Sequence, residues 1–332
     1  MPESIRPGSI WVFCEQTPER INPVALELIG QAAALSAAVR SGVTAVLVGG
    51  DGSAAPALAA RGADTVLSVP GPDPAFPDEL QHTGILTQLI RKYAPSVLLI
   101  GATAFGRSLA PRLAARLGTG LTADCTGLEM DPEGGLLRQT RPAFGGNLFA
   151  TIICPEQRPQ IATVRPRVFP VPSPDPSRSA ALITESCDPG IPAFEWLERL
   201  AAENTEDIGS ADVLVAVGRG IGGSENIALA EKLAEKLGGM LASSRPLVDS
   251  GILPYARQVG QTGKTVSPKL YLALGISGAV QHMAGVSSRT LVSVNTDPEA
   301  PICEYADYVI RCDCGDFLRA MLSLPAGKIR LA

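Results

Sequence analysis

The chain has 332 residues and a formal net charge of −5, with 45% apolar and 5% aromatic residues. Lys and Arg are scattered along the sequence, so we expect neither nucleic acid nor an anionic membrane as a partner. No apolar run is long enough to span a bilayer, so we predict a cytoplasmic protein without membrane insertion. Seven dispersed cysteines do not favour a disulfide framework, and two histidines are too few for a histidine-based metal site.

In the first third of the chain, short apolar runs alternate with helical patterns. Strands are predicted at residues 10–15, 45–49, 65–69 and 96–101, and helices at residues 23–40, 54–61, 78–93 and 106–117. Asn22 followed by Pro23 is typical of a helix N-terminus. Alternating strands and helices indicate crossover connections and a mostly parallel sheet. His82, in the third helix, is expected to be exposed and without a special role.

The pattern then changes to strand-like segments joined by turns. Residues 128–139 predict two strands around a turn at 131–135, and residues 148–154 and 160–164 follow as further strands. Together they predict an antiparallel extension of the same domain. After a Pro- and Ser-rich stretch at residues 170–179, which we expect to be extended, a strand is predicted at 181–185 and a helix near 194–202.

A second domain is predicted from Asp207 onward, so that the two domains span residues 1–206 and 207–332. Strands at 213–217, 270–274, 291–294 and 308–311 occur with helices at 225–237 and 317–324. The fold class is therefore α/β, with two domains that are each an open, mostly parallel sheet flanked by helices. Ligands of such sheets bind beyond the carboxyl ends of the strands, and the glycine-rich turns of the second domain fall at these ends.

The first of these turns, Gly218-x-Gly220-x-x-Gly223, matches the dinucleotide-binding fingerprint and lies between a strand and a helix. The acidic residue that usually binds the ribose should follow about 20 residues later, at the end of the next strand. Ser244 and Arg245 stand there instead, which disfavours the common nicotinamide site. An ordinary tight turn remains an equal interpretation of these glycines.

Two further glycine-rich turns flank the strand at 270–274. Residues 260–264 precede it, and residues 275–282 follow it and open a helix that carries His282. Glycine lets backbone N–H groups approach a phosphate, and a helix N-terminus adds partial positive charge there, so a nucleotide cofactor is favoured. The spacing is not that of a Walker loop, and Ala279 replaces the second glycine of a nucleophile elbow. No catalytic or metal-binding residue is assigned.

Polar side chains at the same sheet edge complete the predicted site. Gln261 and Thr262 offer an amide and a hydroxyl for hydrogen bonds to a ring or a ribityl chain. Arg245 converges on the same crevice and would favour an anionic reduced flavin by charge attraction. Asn295, at a strand end, and Asp313 are placed for hydrogen bonds to adenine or ribose.

Six ordered blocks of the second domain together resemble the alpha subunit of electron transfer flavoprotein. They are residues 218–220, 244–245 with 248–251, 260–264, 268–271, 275–282 and 295–302. The similarity covers the whole second domain and, more loosely, the first. It implies that the second domain binds FAD without a covalent bond.

The resemblance also implies which residues contact FAD. Arg245 would lie over the flavin ring, Thr262 near flavin N5 and His282 near the pyrimidine carbonyl, where they would stabilise negative charge on the reduced ring. Cys314 stands where the family usually has Leu, which affects packing at the adenine end. The implied set is Arg219, Ser244, Arg245, Val259, Gly260, Gln261, Thr262, Ser277, Gly278, Ala279, Val280, Gln281, His282, Asn295 and Asp313.

Members of this family work as heterodimers, so the resemblance implies an electron-carrier subunit whose first domain docks a beta subunit. Electrons would pass between a donor and an acyl-CoA dehydrogenase-type flavoenzyme, with oxidoreductase activity only within a complex. Residues 11–16 and 140–147 resemble alpha subunits from anaerobes, several of which belong to electron-bifurcating complexes. In such a complex NADH would reduce a second flavin in the beta subunit, and one electron would reach ferredoxin or flavodoxin.

Two other functions stay open on the residues alone. A stand-alone NAD(P)-dependent oxidoreductase built on the Gly218 turn would bind nicotinamide without flavin. An adenine-nucleotide-binding module would be colourless and would bind AMP or ATP.

Overall fold

The strands form from short runs of aliphatic residues, and several are buried along their whole length. Every residue of β2 (Val43–Val48) and β11 (Val213–Val217) is buried, as is usual for parallel strands covered on both faces. The computed structural model describes residues 5, 7–50, 52–143, 148–192, 194–197 and 207–325. Two compact units make up the chain, Met1–Ala143 with Phe149–Arg199 and Phe144–Leu148 with Leu200–Ala332.

The first unit alternates strands and helices as the sequence predicts, although individual ends shift by a few residues. Asn22 caps the first helix, because its side chain accepts a hydrogen bond from the N–H of Val24. The remaining strands are β1 (Ile10–Phe13), β3 (Thr65–Val69), β4 (Val97–Gly101), β5 (Leu121–Cys125), β6 (Gly127–Met130), β7 (Leu137–Ala143), β8 (Leu148–Ile152), β9 (Gln160–Val164) and β10 (Ala181–Thr184), and the helices are α1 (Pro23–Val39), α2 (Ala55–Ala59), α3 (Glu79–Tyr93) and α4 (Ala104–Leu117).

The main sheet of the first unit has the strand order β10-β3-β2-β1-β4-β9-β5, and the pairs along it are parallel. Helix α1 packs on one face, and α3 and α4 pack on the other. The interpretation of residues 160–164 as part of an antiparallel extension is wrong: β9 is fully buried between β4 and β5. β5 is not predicted from the sequence, because only two of its five residues are fully buried and its polar side chains mask the strand pattern.

The antiparallel part of the prediction is confirmed for the segments on either side of the turn at 131–135. β6 pairs with β7 in antiparallel register, with Leu128 opposite Gln139, and β8 completes a three-stranded sheet. Residues 144–147 of the 140–147 motif lie outside the described residues. The helix predicted near 194–202 is not present at residues 194–197, and residues 198–202 also lie outside the described part of the chain.

The expectation that His82 is exposed is wrong. Its side chain is 5% exposed and lies edge-on to the rings of Phe13 and Phe105. Its Nδ1 hydrogen-bonds the Asp78 carbonyl oxygen at 2.7 Å, and burial lowers the pKa of the imidazole. The ring is therefore a neutral part of the core, on the face of α3 that packs against the sheet.

The second unit contains a five-stranded parallel sheet in the order β12-β11-β13-β14-β15. The chain runs outward from β11 to β12, then returns to the other side of β11, so the direction of winding reverses between β11 and β13. Its other strands are β12 (Met240–Ser243), β13 (Leu270–Leu274), β14 (Thr290–Val294) and β15 (Tyr308–Ile310), and its helices are α5 (Ser224–Lys236), α6 (Arg245–Asp249), α7 (Val280–Met283), α8 (Ile302–Tyr305) and α9 (Cys314–Ser323).

Both units therefore have the predicted α/β architecture. Two apolar clusters cover the two faces of the second sheet, one of them against α5 and α9 and the other against the segments around α7 and α8. In a sheet of this order, ligands bind beyond the carboxyl ends of the strands, at the point where the winding reverses. Within the described residues, no helix is long and apolar enough to cross a membrane.

Candidate functional site

A cavity of about 850 Å³ lies at the carboxyl edge of the second sheet, where β11 and β13 lie side by side. This volume is within the range of about 300–1,000 Å³ that small-molecule and cofactor sites occupy. The loops that follow β11, β12, β13 and β14 all contribute to its wall. The lining residues are Arg219, Gly220, Ser244, Arg245, Pro246, Gln258, Val259, Gly260, Gln261, Thr262, Gly275, Ile276, Ser277, Ala279, Gln281, His282, Asn295, Asp297, Ala300 and Pro301.

Most of the residues predicted to form the site are brought together in this cavity. Gly278, Val280 and Asp313 are the exceptions, since they do not line it. Gly278 and Val280 belong to the turn that does. The Asp313 carboxylate instead caps α9, accepting hydrogen bonds from the N–H groups of Gly315 and Asp316 at 2.8 and 3.1 Å.

The glycines after β11 and β13 allow two loops to touch backbone to backbone. Gly275 has a φ of 62°, and a Cβ atom there would lie 2.3 Å from the carbonyl carbon of Gly220. The N–H of Gly220 donates to the Gly275 carbonyl at 3.0 Å. Gly218 and Gly220 of the fingerprint-like turn are thus required by loop packing, whereas a Cβ atom at Gly223 would meet nothing within 4 Å. The neighbouring Arg219 is exposed at the cavity.

The turn after β13 supplies backbone donors to the cavity. Gly278 adopts a φ of 85° and packs on Ile302, where a Cβ atom would lie 2.3 Å from the Ile302 nitrogen. Among the described residues, the N–H groups of Gly278, Ala279, Val280 and Gln281 have no hydrogen-bond acceptor. Four consecutive unpaired donors in such a turn match the oxygens of a phosphate.

The loop that carries Thr262 is held by residues that the sequence interpretation missed. The Gln258 side chain is buried, and its Nε2 donates to Thr262 Oγ1 at 3.1 Å. The hydroxyl of Tyr255 donates to the Thr262 carbonyl at 2.7 Å, and the N–H of Gln261 donates to the Gln281 carbonyl at 2.7 Å. Because the Thr262 oxygen already accepts a hydrogen bond, its own hydroxyl proton is available to a ligand. Gln258 directly precedes the predicted loop, and its burial gave no signal in the sequence.

Two arginines give this cavity its positive charge. Arg219 follows β11 and is exposed, and Arg245 is the first residue of α6 and is 62% exposed in its side chain. Arg245 Nε lies 3.1 Å from Asp249 Oδ2, one helical turn further along. This contact orients the guanidinium and leaves its two terminal nitrogens for another acceptor.

Asn295 joins two of the loops at the cavity. Its Nδ2 donates to the Ile276 carbonyl at 3.1 Å, and its Oδ1 accepts from the N–H of Asp297 at 3.0 Å. One amide hydrogen and one oxygen lone pair remain for a ligand. Asn295 therefore positions the wall of the cavity in addition to any contact it makes.

His282 contributes a neutral ring to the cavity wall. The residue is 8% exposed, and its Nε2 lies 2.9 Å from the hydroxyl of Tyr271. Burial lowers the pKa of its imidazole to about 4. Of the two side chains expected to offer positive charge or a proton to a ring, Arg245 supplies the charge, whereas His282 is uncharged near pH 7.

The residues present fit a flavin adenine dinucleotide. The unpaired N–H groups of residues 278–281 suit a diphosphate, the Thr262 hydroxyl and two guanidinium groups suit an electron-rich ring, and the cavity is large enough for an extended cofactor. Among the described residues, no group of three His, Cys, Asp or Glu side chains could hold a metal ion.

Comparison with known proteins agrees with this fit. Residues 10–189 match the protein-family model described as "Electron transfer flavoprotein domain", and residues 207–287 match the model described as "Electron transfer flavoprotein FAD-binding domain". The second match decides between flavin and nicotinamide in favour of FAD.

Curated relatives resemble the chain along most of its length. "Electron transfer flavoprotein subunit alpha" of Thermoanaerobacterium thermosaccharolyticum is 46% identical over 308 residues, which are 91% of this chain and 92% of that protein. "Protein FixB" of Clostridium saccharobutylicum is 42% identical and covers 95% of both chains. "Acryloyl-CoA reductase electron transfer subunit beta" of Anaerotignum propionicum is 40% identical and covers 96% of both. On this evidence the chain belongs to the electron transfer flavoprotein alpha subunit family, a family of electron-transfer proteins, and its second domain binds FAD.

Proposed function

We propose that the chain is the FAD-carrying subunit of a heterodimer with a beta subunit, and that it passes electrons between a donor and an acyl-CoA dehydrogenase-type flavoenzyme. The observation that carries this proposal is the cavity at the switch point of the second sheet, which combines unpaired backbone donors with Arg219 and Arg245. The printed name of the Anaerotignum relative, an electron transfer subunit of an acryloyl-CoA reductase, supports a partner that acts on acyl-CoA.

The fifteen residues inferred from the family resemblance form the proposed FAD site. The N–H groups of residues 278–281 would hold the diphosphate, with Arg219 nearby, and Asn295 and Asp313 would serve the adenosine end. Arg245, Thr262 and His282 would surround the ring, with Ser244 and residues 259–261 shaping the wall. FAD when bound supplies one- and two-electron chemistry. The protein's part is to bind the cofactor, exclude water and set the charge around the ring.

Charge favours electron acceptance at this site. Arg245 and Arg219 are cations with exposed guanidinium groups, and a negative charge acquired by a ring beside them is stabilised by Coulomb attraction. The His282 imidazole at the cavity is neutral, because burial lowers its pKa. The chain is thus suited to holding and transferring electrons, with no substrate chemistry of its own.

In this proposal the domains divide at residue 207, and the first domain docks the beta subunit. The cytoplasmic location is part of the same proposal, and cell fractionation would test it. We further propose that this heterodimer works in an electron-bifurcating complex, on the similarity of residues 11–16 and 140–147 to anaerobic alpha subunits. NADH would then reduce a second flavin, and electrons would reach both ferredoxin and the acyl-CoA partner.

The proposal is tested by coexpressing the chain with an electron transfer flavoprotein beta subunit from the same organism and recording the visible spectrum. We expect flavin absorbance, released on denaturation, and reduction of the bound flavin by a reduced acyl-CoA dehydrogenase. A colourless complex, or a flavin that exchanges no electrons with such enzymes, contradicts the proposal. If the heterodimer holds one flavin and does not oxidise NADH, the bifurcation proposal is contradicted, but the electron-carrier proposal is not.

A further inference from the structure

The loop that carries Thr262 closes on itself at the edge of the cavity. The N–H of Lys264 donates to the Gln258 carbonyl at 2.8 Å, and the Gln258 side chain donates to Thr262 Oγ1 at 3.1 Å. A Cβ atom at Gly263 would lie 2.5 Å from the Gln258 carbonyl oxygen, so the turn has no room for a side chain there. Residues 258–264 therefore form one compact loop, in which Gln258 connects the position of Lys264 to that of Thr262.

The tip of this loop has little apolar packing to hold it. Gln261 and Thr262 are exposed, and Gly263 and Lys264 are half-buried. Segments with few buried apolar contacts open locally at a low cost in free energy, so polar contacts decide where they lie. The Lys264 side chain makes such a contact outside the loop, since its Nζ lies 2.7 Å from Asp207 Oδ1.

Asp207 is a well-anchored partner for this lysine. Its Oδ1 also accepts a hydrogen bond from the N–H of Gly209 at 3.0 Å and caps the short helical turn at residues 208–210. Ile208, the next residue, is fully buried in one of the two apolar clusters of the second sheet. Lys264 thus joins the loop to the first residue that matches the FAD-binding domain, 57 residues earlier in the chain.

We propose that Lys264 is a positioning residue for the FAD site, whose bond to Asp207 keeps Thr262 at the cavity. Thr262 and Gln258 line the cavity, whereas Lys264 does not, so it acts through the loop. This inference rests on the proposed placement of Thr262 beside the flavin ring and therefore deepens the proposed function. The alternative is a direct attraction between the lysine charge and the anionic cofactor, and the two roles predict effects of different sign.

The rate of FAD release from the purified heterodimer distinguishes these roles. Lys264→Met removes the cation, and Asp207→Asn removes the anion but keeps an oxygen that can cap residues 208–210. If Lys264 acts through Asp207, both variants release FAD faster, by about two- to fivefold, which corresponds to an exposed ion pair. If Lys264 acts by its charge alone, Asp207→Asn slows release. Slower or unchanged release in either variant overturns the proposal.

The chain offers a matched control pair. Lys269 Nζ lies 2.8 Å from Asp212 Oδ2, and this pair is also exposed and also 57 residues apart, but it lies at the opposite edge of the same sheet. Lys269→Met and Asp212→Asn should release FAD at the wild-type rate. Equal acceleration from both pairs would mean that any lost ion pair loosens the domain, which overturns the proposal.

A double-mutant cycle tests whether the two residues share one contact. The variant with both Lys264→Met and Asp207→Asn should release FAD no faster than the faster single variant, because the bond can be lost only once. Rate factors that multiply would show that the two side chains act independently and would overturn the inference.

The midpoint potential of bound FAD separates positioning from simple stabilisation of the fold. Lys264→Met and Asp207→Asn should shift it in the same direction, because both displace Thr262, and Lys264→Arg, which keeps a cation of similar reach, should keep the wild-type value. Variants that unfold more easily at an unchanged potential overturn the inference. If the wild-type heterodimer exchanges no electrons with acyl-CoA dehydrogenase-type enzymes, the proposed function fails, whereas these results on FAD release and potential stand.

Discussion

Both sheets are open and parallel and both have a point where the winding reverses, but the space at that point is filled in the first sheet and open in the second. In the first sheet, β1 lies between β2 and β4, and the space beyond its carboxyl end measures only about 140 Å³. Phe13, His82 and Phe105 fill it, and Thr103 donates to the Glu15 carboxylate at 2.5 Å, which ties together the loops after β4 and β1. In the second sheet the corresponding space is about 850 Å³. Topology therefore offers a site in both units, and the loop residues decide whether a cofactor can use it.

The substitution Gly275→Ala should produce the largest effect, because it disrupts the backbone contact between the loops after β11 and β13 that shapes the cavity of the second unit. A Cβ atom would lie 2.3 Å from the Gly220 backbone, at a φ that disfavours alanine. We expect nearly complete loss of bound FAD and a fall of about 2–4 kcal/mol in the free energy of unfolding of the second unit. Flavin retained after gel filtration and chemical denaturation measure both.

Gly223→Ala is the control for that experiment. Gly223 precedes α5 with an ordinary φ of −82°, and a Cβ atom there would meet nothing within 4 Å. Its FAD content should stay at the wild-type level. Equal losses in both variants would mean that the backbone contact between the two loops does not explain the cavity.

The second prediction uses pH to distinguish the two units. Glu27 in α1 is buried and accepts a hydrogen bond from the Arg167 N–H at 2.8 Å, and burial raises the pKa of its carboxyl from 4.5 to about 7. Because the folded state prefers the protonated form, stability is full below about pH 4.5 and declines as the pH rises through about 7. His282 has the opposite shift, so its contribution is full above about pH 6.5 and declines as the pH falls toward about 4.

Glu27→Gln should therefore stabilise the first unit at pH 8 by about 2–3 kcal/mol and flatten its pH dependence. Both tryptophans, Trp11 and Trp196, belong to the first unit, so their fluorescence during urea unfolding reports on it. The exposed Glu129→Gln is the matched control. The measured quantity is the difference in unfolding free energy between variant and wild type at each pH. If this difference is no larger at pH 8 than at pH 5, ionisation of Glu27 does not destabilise the folded state.

The third prediction concerns the positive charge that the second site has. Arg245→Ala removes a guanidinium at the cavity and should lower the midpoint potential of bound FAD. The guanidinium is largely exposed, so we expect a shift of roughly 40–90 mV, or about 1–2 kcal/mol per electron. Lys269→Ala is the control, since Lys269 pairs with Asp212 at the opposite edge of the same sheet. Equal shifts in both variants would indicate a long-range charge effect with no local role for Arg245.

The smallest effect is expected from the buried amide that orients Thr262. Gln258→Met removes the donor to Thr262 Oγ1 and leaves a side chain of similar length. The change in cofactor affinity should be about 0.5–1.5 kcal/mol, the usual contribution of one hydrogen bond. Titration calorimetry on Gln258→Met, Thr262→Val and the double variant gives the coupling between them. Fully additive losses would mean that Gln258 does not act through Thr262.

The sequence predicted the second unit better than the first, and the reason is physical. β11 and β13 are predicted to the residue, because each apolar run follows a charged residue, Asp212 or Lys269, and ends at a glycine, Gly218 or Gly275. In the first unit, β9 has the same apolar character, but it follows a hairpin along the chain and was assigned to that hairpin. Only long-range pairing places it between β4 and β5, and single-sequence patterns do not report such pairing.

Side-chain partners were the least predictable feature of the site. The loops around the cavity could be located from glycine spacing, and residues such as Arg219, Arg245 and Thr262 do line it. The burial of His82 and the neutral state of His282 depend on packing against other segments. The support of Thr262 by Gln258 joins residues only four apart, but it depends on how the loop between them folds. A pattern along one strand or helix carries no information about these contacts.

The hydrogen bond between Tyr271 and His282 joins the interior of a β-sheet to the wall of a redox site. Substitutions of the buried residues around Tyr271 would change the midpoint potential of the carrier without altering the surfaces that bind its partners. Relatives that need different potentials could therefore diverge in sequence at these buried positions and keep the same partner proteins.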